Sequence, residues 1–220
     1  MSIHRQDSGS LSSRSELQLF FAPNTCALAT LIVIEELQAP YSLRRLDFSK
    51  SEQRSPEYLA INPKGRVPAL VTSEGTLTET PALLVYVAQA FGGAHLLPSS
   101  AFAFAQMQAF NSYLCSTVHV AHAHRMRGHR WADDEAAHES MRRKVPQSVT
   151  AAFALIEDSL TGSWVMGEHY TIADPYLFTL AQWLEADRAD LSRLPRVLAH
   201  RDRVRERAAV QRALIHEHAT

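Results

Sequence analysis

Cys26, one of two cysteines, follows the turn-forming stretch Ala22-Pro23-Asn24-Thr25 and opens an apolar run. A thiol at a helix start faces unpaired N–H groups and the helix dipole. Both stabilise the thiolate and lower its pKa. The next three residues are Ala27, Leu28 and Ala29. No second thiol therefore sits at redox spacing, and a dithiol cycle is disfavoured. Two readings stay open: a monothiol able to form a mixed disulfide, or a small buried apolar residue. The neighbouring motifs favour the first.

The second group of candidates is the run Ile61-Asn62-Pro63-Lys64-Gly65-Arg66-Val67-Pro68-Ala69-Leu70, with Glu79-Thr80-Pro81 following it. Pro68 cannot donate to a ladder, so it belongs at a strand end. A trans Val67–Pro68 bond marks a strand start and no more. A cis bond, the rarer form, turns the Val67 N–H and C=O outward together, where an extended peptide can pair with them. Thr80 is expected as an N-cap, with Pro81 at the first helical position. Free N–H groups beyond them would hold a carboxylate, and Glu79 would take an ammonium. That pair of sites matches an α-amino-acid end. Lys64 and Arg66 would either meet a second carboxylate or remain solvated.

His119, His122, His124 and His129 cluster farther on, interleaved with Arg125, Arg127 and Arg130. His119 and His122 share a helical face. With no third ligand at the next turn and cationic neighbours, a metal site is disfavoured. The face is expected to line a cleft, with His119 donating a hydrogen bond to a thiolate or substrate and Tyr113 approaching the same cleft. Thr171-Ile172-Ala173-Asp174 reads as a capping box, with Tyr170 as part of a hydrophobic staple. Its role is structural.

The elements that must position these groups fall into two sets. Leu17–Phe21 reads as a strand, Cys26–Gln38 as a helix and Tyr41–Phe48 as a strand, a parallel βαβ unit. Ser55-Pro56 opens a short helix. Val67–Thr72 and Thr76–Thr78 form a hairpin, and Thr80–Phe91 a helix stopped by Gly92-Gly93. The order is βαβαββα. After Leu97-Pro98 the pattern turns helical: Ala101–Arg127, Asp133–Leu160 with Pro146 bending it, Thr171–Asp187, Pro195–Arg207 and Val210–His216. The expected organisation is a polar extension over 1–15, an α/β domain over 16–96 and an all-α domain over 101–220.

The chain has 220 residues, 46% hydrophobic and 20% charged, enough for a sizeable core. A formal net charge of −1 gives no reason to expect nucleic acid or an anionic membrane as partner. No apolar run approaches a membrane span, and the first fifteen residues lack the apolar core of a secretory signal. Two distant cysteines do not form a disulfide framework, which suits a reducing cytosol.

Leu19-Phe20-Phe21-Ala22-Pro23-Asn24-Thr25-Cys26, the Asn62–Leu70 run, Glu79-Thr80 and Tyr170–Asp174 together resemble bacterial cytosolic glutathione transferases, closest to the beta class. The resemblance extends from about residue 16 onward. It implies a thioredoxin-like N-terminal domain, an all-α C-terminal bundle and a homodimeric cytoplasmic detoxification enzyme. The enzyme would conjugate glutathione, as co-substrate and without a metal, to a small hydrophobic electrophile. It implies glutathione against Lys64, Val67 and a cis-Pro68, with the γ-glutamyl end at Glu79 and Thr80. Cys26 and His119 would be catalytic, and Tyr113, His122 and Met126 would line the electrophile cleft. Phe20 and Phe21 stand where a tyrosine is frequent, and Ala27 where a serine is common. The alternatives are thiol transfer through a Cys26 mixed disulfide and a non-catalytic binding protein with the same fold.

Overall fold

A computed structural model describes residues 16–218; the expected extension over 1–15 lies outside the described residues. Four strands form one sheet in the order β2-β1-β3-β4. They are β1 (Leu17–Phe21), β2 (Tyr41–Arg45), β3 (Ala69–Thr72) and β4 (Gly75–Thr78). β1 runs parallel to β2 and antiparallel to β3, and β3–β4 is a hairpin. The α1 helix (Ala27–Glu36) makes the crossover between β1 and β2, α2 (Pro56–Ile61) follows, and α3 (Thr80–Ala90) closes the unit. The expected mixed sheet with helices, followed by helices alone, is the architecture observed.

Local chemistry explains the boundaries. Ser55 accepts the Tyr58 N–H at 3.2 Å and Pro56 takes the first helical position, where its missing N–H costs nothing. Gly92, at φ 78°, follows the end of α3 in a conformation that suits glycine. β2 and β3 are shorter than expected: the paired register of β2 ends at Arg45, with the Leu46 N–H still bonded to the Phe21 carbonyl at 2.8 Å, and β3 begins at Ala69, after Val67–Pro68.

Helices α4 (Ala101–Tyr113), α5 (His119–Ala123), α6 (Glu135–Ser159), α7 (Ala173–Ala181), α8 (Pro195–Arg205) and α9 (Ala208–His218) make up the rest, with short 3₁₀ turns between. The single helix expected over Ala101–Arg127 is instead α4 and α5 joined by a π-helical turn, Leu114–Val118. There the His119 N–H reaches back five residues to the Leu114 carbonyl. The helix expected over Thr171–Asp187 ends as α-helix at Ala181 and continues as turns. α6 runs on through Pro146.

One buried apolar cluster runs through the sheet, α1, α3 and helices α4–α9. α1 is buried at every residue from Ala27 to Glu35, as expected of a helix apolar all round. Its last turn is tied to α9 and the turn before it. Arg212 Nε lies 2.6 Å from Glu35 Oε2 and Arg207 Nε 2.6 Å from Glu36 Oε1. In the first turn of α7, the Asp174 carboxylate is fully buried. It accepts the Thr171 N–H at 2.7 Å and the Val165 N–H at 2.8 Å, with His200 Nε2 at 2.9 Å. Asp174 thus reaches back to Thr171 as expected, but the N-cap position of α7 falls to Ile172 rather than to Thr171, whose hydroxyl donates to the Asp174 carboxylate instead. Among the described residues no helix is long and apolar enough to cross a membrane.

Candidate active site

A cleft of about 490 Å³ lies between the sheet unit and the helical half. Its sheet-side wall is built from loops whose geometry the sequence dictates. Asn62-Pro63-Lys64-Gly65 closes a turn through the Gly65 N–H to the Asn62 carbonyl at 2.9 Å. Gly65 has φ +58°, and a Cβ there would sit 2.8 Å from the Gln53 carbonyl, so both conformation and space call for glycine. The Arg66 carbonyl is held twice, by Tyr58 Oη at 2.5 Å and Asn62 Nδ2 at 2.7 Å. Both side chains are almost fully buried. This clamp fixes the segment leading into Val67–Pro68, whose peptide bond is cis. Of the two readings left open for that bond, the cis form is the one present.

Cys26 faces the cleft at the N-cap of α1, its Sγ 3.7 Å from the Val67 carbonyl oxygen. The expected lowering of its pKa is reversed. Burial pushes the thiol up, and this outweighs the downward pull of a hydrogen bond from Thr80.

Glu79, not Thr80, occupies the N-cap position of α3, with φ 73° and ψ 112°. β4 ends at Thr78, so a single residue must turn the chain into α3. It does so in a region non-glycine residues rarely enter. Thr80 becomes the first residue of the helix. Pro81 has no N–H, and the Ala82 and Leu83 N–H groups bond to the Glu79 carbonyl at 3.0 and 3.1 Å. The donors expected beyond Thr80 are therefore occupied. What α3 offers an anion is the N–H and hydroxyl of Thr80. Lys64 does not line the cleft. Its ammonium lies 2.5 Å from Glu79 Oε1 and 2.7 Å from Thr78 Oγ1 on the open side.

The helical wall carries His119, His122, Met126 and Cys115. His122 Nδ1 is 2.7 Å from the buried Asp187 carboxylate, and its ring stacks on Trp183 with centroids 4.1 Å apart. The His119 ring lies 5.2 Å from the same indole. Burial, reinforced by His122, Arg130, Arg127 and Arg66, lowers the His119 pKa to about 4. The imidazole is neutral at pH 7 and offers one N–H and one lone pair. Among the described residues no group of three or more His, Cys, Asp or Glu side chains converges as a metal site.

Tyr113 is a correction. It does not line the cleft, and its hydroxyl donates to the Ala152 carbonyl in α6 at 3.0 Å. The π-helical turn Leu114–Val118 separates it from His119, and the two face different neighbours. Cys115, in the π-helical turn, lines the cleft with His119; its nearness to the histidines in sequence was the one signal that could have found it. Asn24 and Thr25, the polar residues just before the thiol, line the cleft, as do Arg127, Arg130, Tyr176 and Trp183, which were not assigned to it from sequence. Tyr176 and Trp183 lie more than fifty residues beyond α5, and no local pattern joins them to it.

Comparison with known proteins bears on this geometry. Residues 15–89 match the model for the glutathione S-transferase N-terminal domain, and residues 121–214 a model for its C-terminal domain. Glutathione S-transferase GstA of Escherichia coli O157:H7 is 31% identical over 201 residues, covering 90% of this chain and 97% of GstA. The solved structure of a Sulfitobacter glutathione transferase homolog with bound glutathione superposes with TM-score 0.88 at 44% identity. It covers 91% of this chain and 98% of that one. A bacterial beta class glutathione S-transferase from Sphingomonas chungbukensis gives TM-score 0.80 at 27% identity, covering 92% of this chain and 100% of its own.

Proposed function

Because the chain belongs to the glutathione S-transferase family of enzymes, we propose that it binds reduced glutathione in this cleft and joins its sulfur to a small electrophile. The observation that carries the reading is convergence. Val67–Pro68, Glu79–Thr80 and Cys26 come from one side and His119 from the other, and all line one cleft. The tripeptide main chain pairs with Val67. The γ-glutamyl carboxylate meets the N–H and hydroxyl of Thr80, and its ammonium meets Glu79 once Lys64 gives way. Arg66 takes the glycyl carboxylate.

The glutathione sulfur then lies beside Cys26 and His119. Its thiol loses a proton to solvent, and the anion attacks the electrophilic carbon. A sulfur–carbon bond forms while the leaving group departs with its electron pair. Arginine charge and the His119 N–H favour the thiolate. Holding both reactants together supplies the remainder of the advantage. The enzyme is read as a cytosolic homodimer, which sedimentation would test.

Titration calorimetry of reduced glutathione at neutral pH tests the reading, followed by conjugation to an activated aryl halide. Saturable binding and turnover support it, and a folded protein that takes up no glutathione ends it. Thiol transfer through a Cys26 mixed disulfide is a second reading, favoured by the thiol's position in the cleft. The Cys26→Ala variant separates the two, because thiol transfer stops while conjugation persists.

A further inference from the structure

We propose that the electrophile itself is an anion, a carbon electrophile carrying a carboxylate, recognised by Arg127 and Arg130. The inference rests on the glutathione reading above and refines it. Four arginines line the cleft: Arg66, Arg125, Arg127 and Arg130. Arg125 is accounted for, with Nε 3.2 Å from Asp187 Oδ1 and Nη1 donating to the Ala186 carbonyl at 2.8 Å. For the other three, no carboxylate partner occurs among the described residues. Glu79, which also lines the cleft, is paired with Lys64.

Arg127 and Arg130 stand on the turn after α5, where the helical wall meets the sheet side. The Arg127 guanidinium sits 5.7 Å from the centroid of the Phe48 ring, a cation–π contact across the cleft. Arg130 is half-buried, and burial together with the charges of Arg66, Arg127 and Arg54 pulls its pKa down to about 10. A cluster of like charges kept partly out of water is unfavourable while empty. An anion relieves it, and a carboxylate can bridge guanidinium groups with paired hydrogen bonds.

Glutathione does not exhaust this charge. Its two carboxylates are taken by Thr80 and Arg66, and its ammonium by Glu79. Arg127 and Arg130 are left in the cleft that Cys26 shares, where Phe48, Met126 and Trp131 complete the lining near them. An electrophile with an apolar body and a carboxylate at one end fits that surround. This departs from the wholly hydrophobic substrate that the family resemblance suggests.

The test compares 4-chloro-3-nitrobenzoate with the neutral 4-chloro-3-nitrobenzamide. In each, sulfur displaces chloride, and each kcat/KM is divided by its uncatalysed rate constant. The native protein is expected to favour the benzoate by at least about tenfold, since a charge-assisted hydrogen bond contributes that much. The preference should shrink with added salt. Arg130→Gln and Arg127→Gln should each cut the ratio about tenfold, with glutathione affinity, read by calorimetry, changing much less. A native ratio of one or below, with glutathione bound, overturns the proposal and leaves the glutathione reading standing. Variants that weaken glutathione and both electrophiles equally also overturn it, because the arginines then serve glutathione. If a variant fails to fold, the native ratio and its salt dependence decide alone. Absence of glutathione binding removes the parent reading instead.

Discussion

On the sheet side of the cleft, residues 62–80 offer main-chain groups, the Arg66 and Glu79 side chains and the hydroxyls of Thr78 and Thr80, set by a glycine turn, a Val–Pro bond and a one-residue link into α3. On the helical side, residues 115–131 with Trp183 offer imidazoles, guanidiniums and an indole. Their aim depends on helix phase and on partners far away in sequence. The first wall is fixed by local covalent geometry, and the second by tertiary packing. A substitution on the sheet side should therefore act on glutathione affinity. One on the helical side should act on stability and on the choice of electrophile.

The sharpest way to break this contrast is Asp187→Ala. The carboxylate is 2% exposed and holds both His122 and Arg125. Its removal should cost about 3 kcal/mol, seen as a lower urea midpoint, and should raise KM for the electrophile more than the glutathione dissociation constant. The opposite pattern would erase the distinction. Next in size, Thr80→Val removes the hydroxyl proposed to meet the γ-glutamyl carboxylate. Glutathione binding should weaken by about 2 kcal/mol, roughly 30-fold, as a hydrogen bond to a charged group predicts. Calorimetry checks it, with thermal stability little changed.

Asn62→Ala leaves the Arg66 carbonyl to Tyr58 alone and frees the Lys64 N–H that Asn62 Oδ1 accepts at 3.2 Å. About 1–2 kcal/mol of stability should go, and glutathione affinity should fall with it. An equal loss of stability with affinity intact would show that the clamp does not position the site.

The smallest effect is a pH dependence. His119 has a pKa of about 4 in the folded protein, against about 6.5 unfolded. Between those values the unfolded chain binds the additional proton. Stability tied to this group is present above pH 6.5 and is lost as pH falls toward 4. Because the ring is only partly shielded, the loss is about 1 kcal/mol after discounting for solvent. His119→Phe should flatten the stability curve over that window in urea unfolding at pH 4.5 and 7. The same depression keeps His119 from contributing an inflection to the kcat/KM profile between pH 6 and 8.

The same contrast governs how much could be read in advance. Pro68, Gly65, the Ser55-Pro56 cap and the Glu79–Pro81 link announce themselves by residue type, so the sheet unit and its share of the site were legible. The exchange of roles between Glu79 and Thr80 was missed because the cap position depends on β4 stopping at Thr78, which no propensity states. Tyr113 was misplaced because proximity in sequence to His119 stood in for a shared face. Asp187 and Trp183 were invisible as site-builders, since they stand on the turns after α7 and reach His122 across some sixty residues of sequence only in the folded chain. The Cys26 pKa was inverted because a helix start is visible in sequence and the depth of its burial is not.

The embedding of α1 has a consequence for how the chain is made. Every residue from Ala27 to Glu35 is buried, and part of the cover comes from α9, near the end of the described chain. During synthesis, α1 leaves the ribosome with an uncovered Leu31, Ile32 and Ile34 surface, long before α9 exists to cap it. Nascent chains with such exposed apolar helices are open to misassociation until the last segment arrives. Truncations at the C-terminus should accordingly reduce soluble yield far beyond what the few residues removed would suggest.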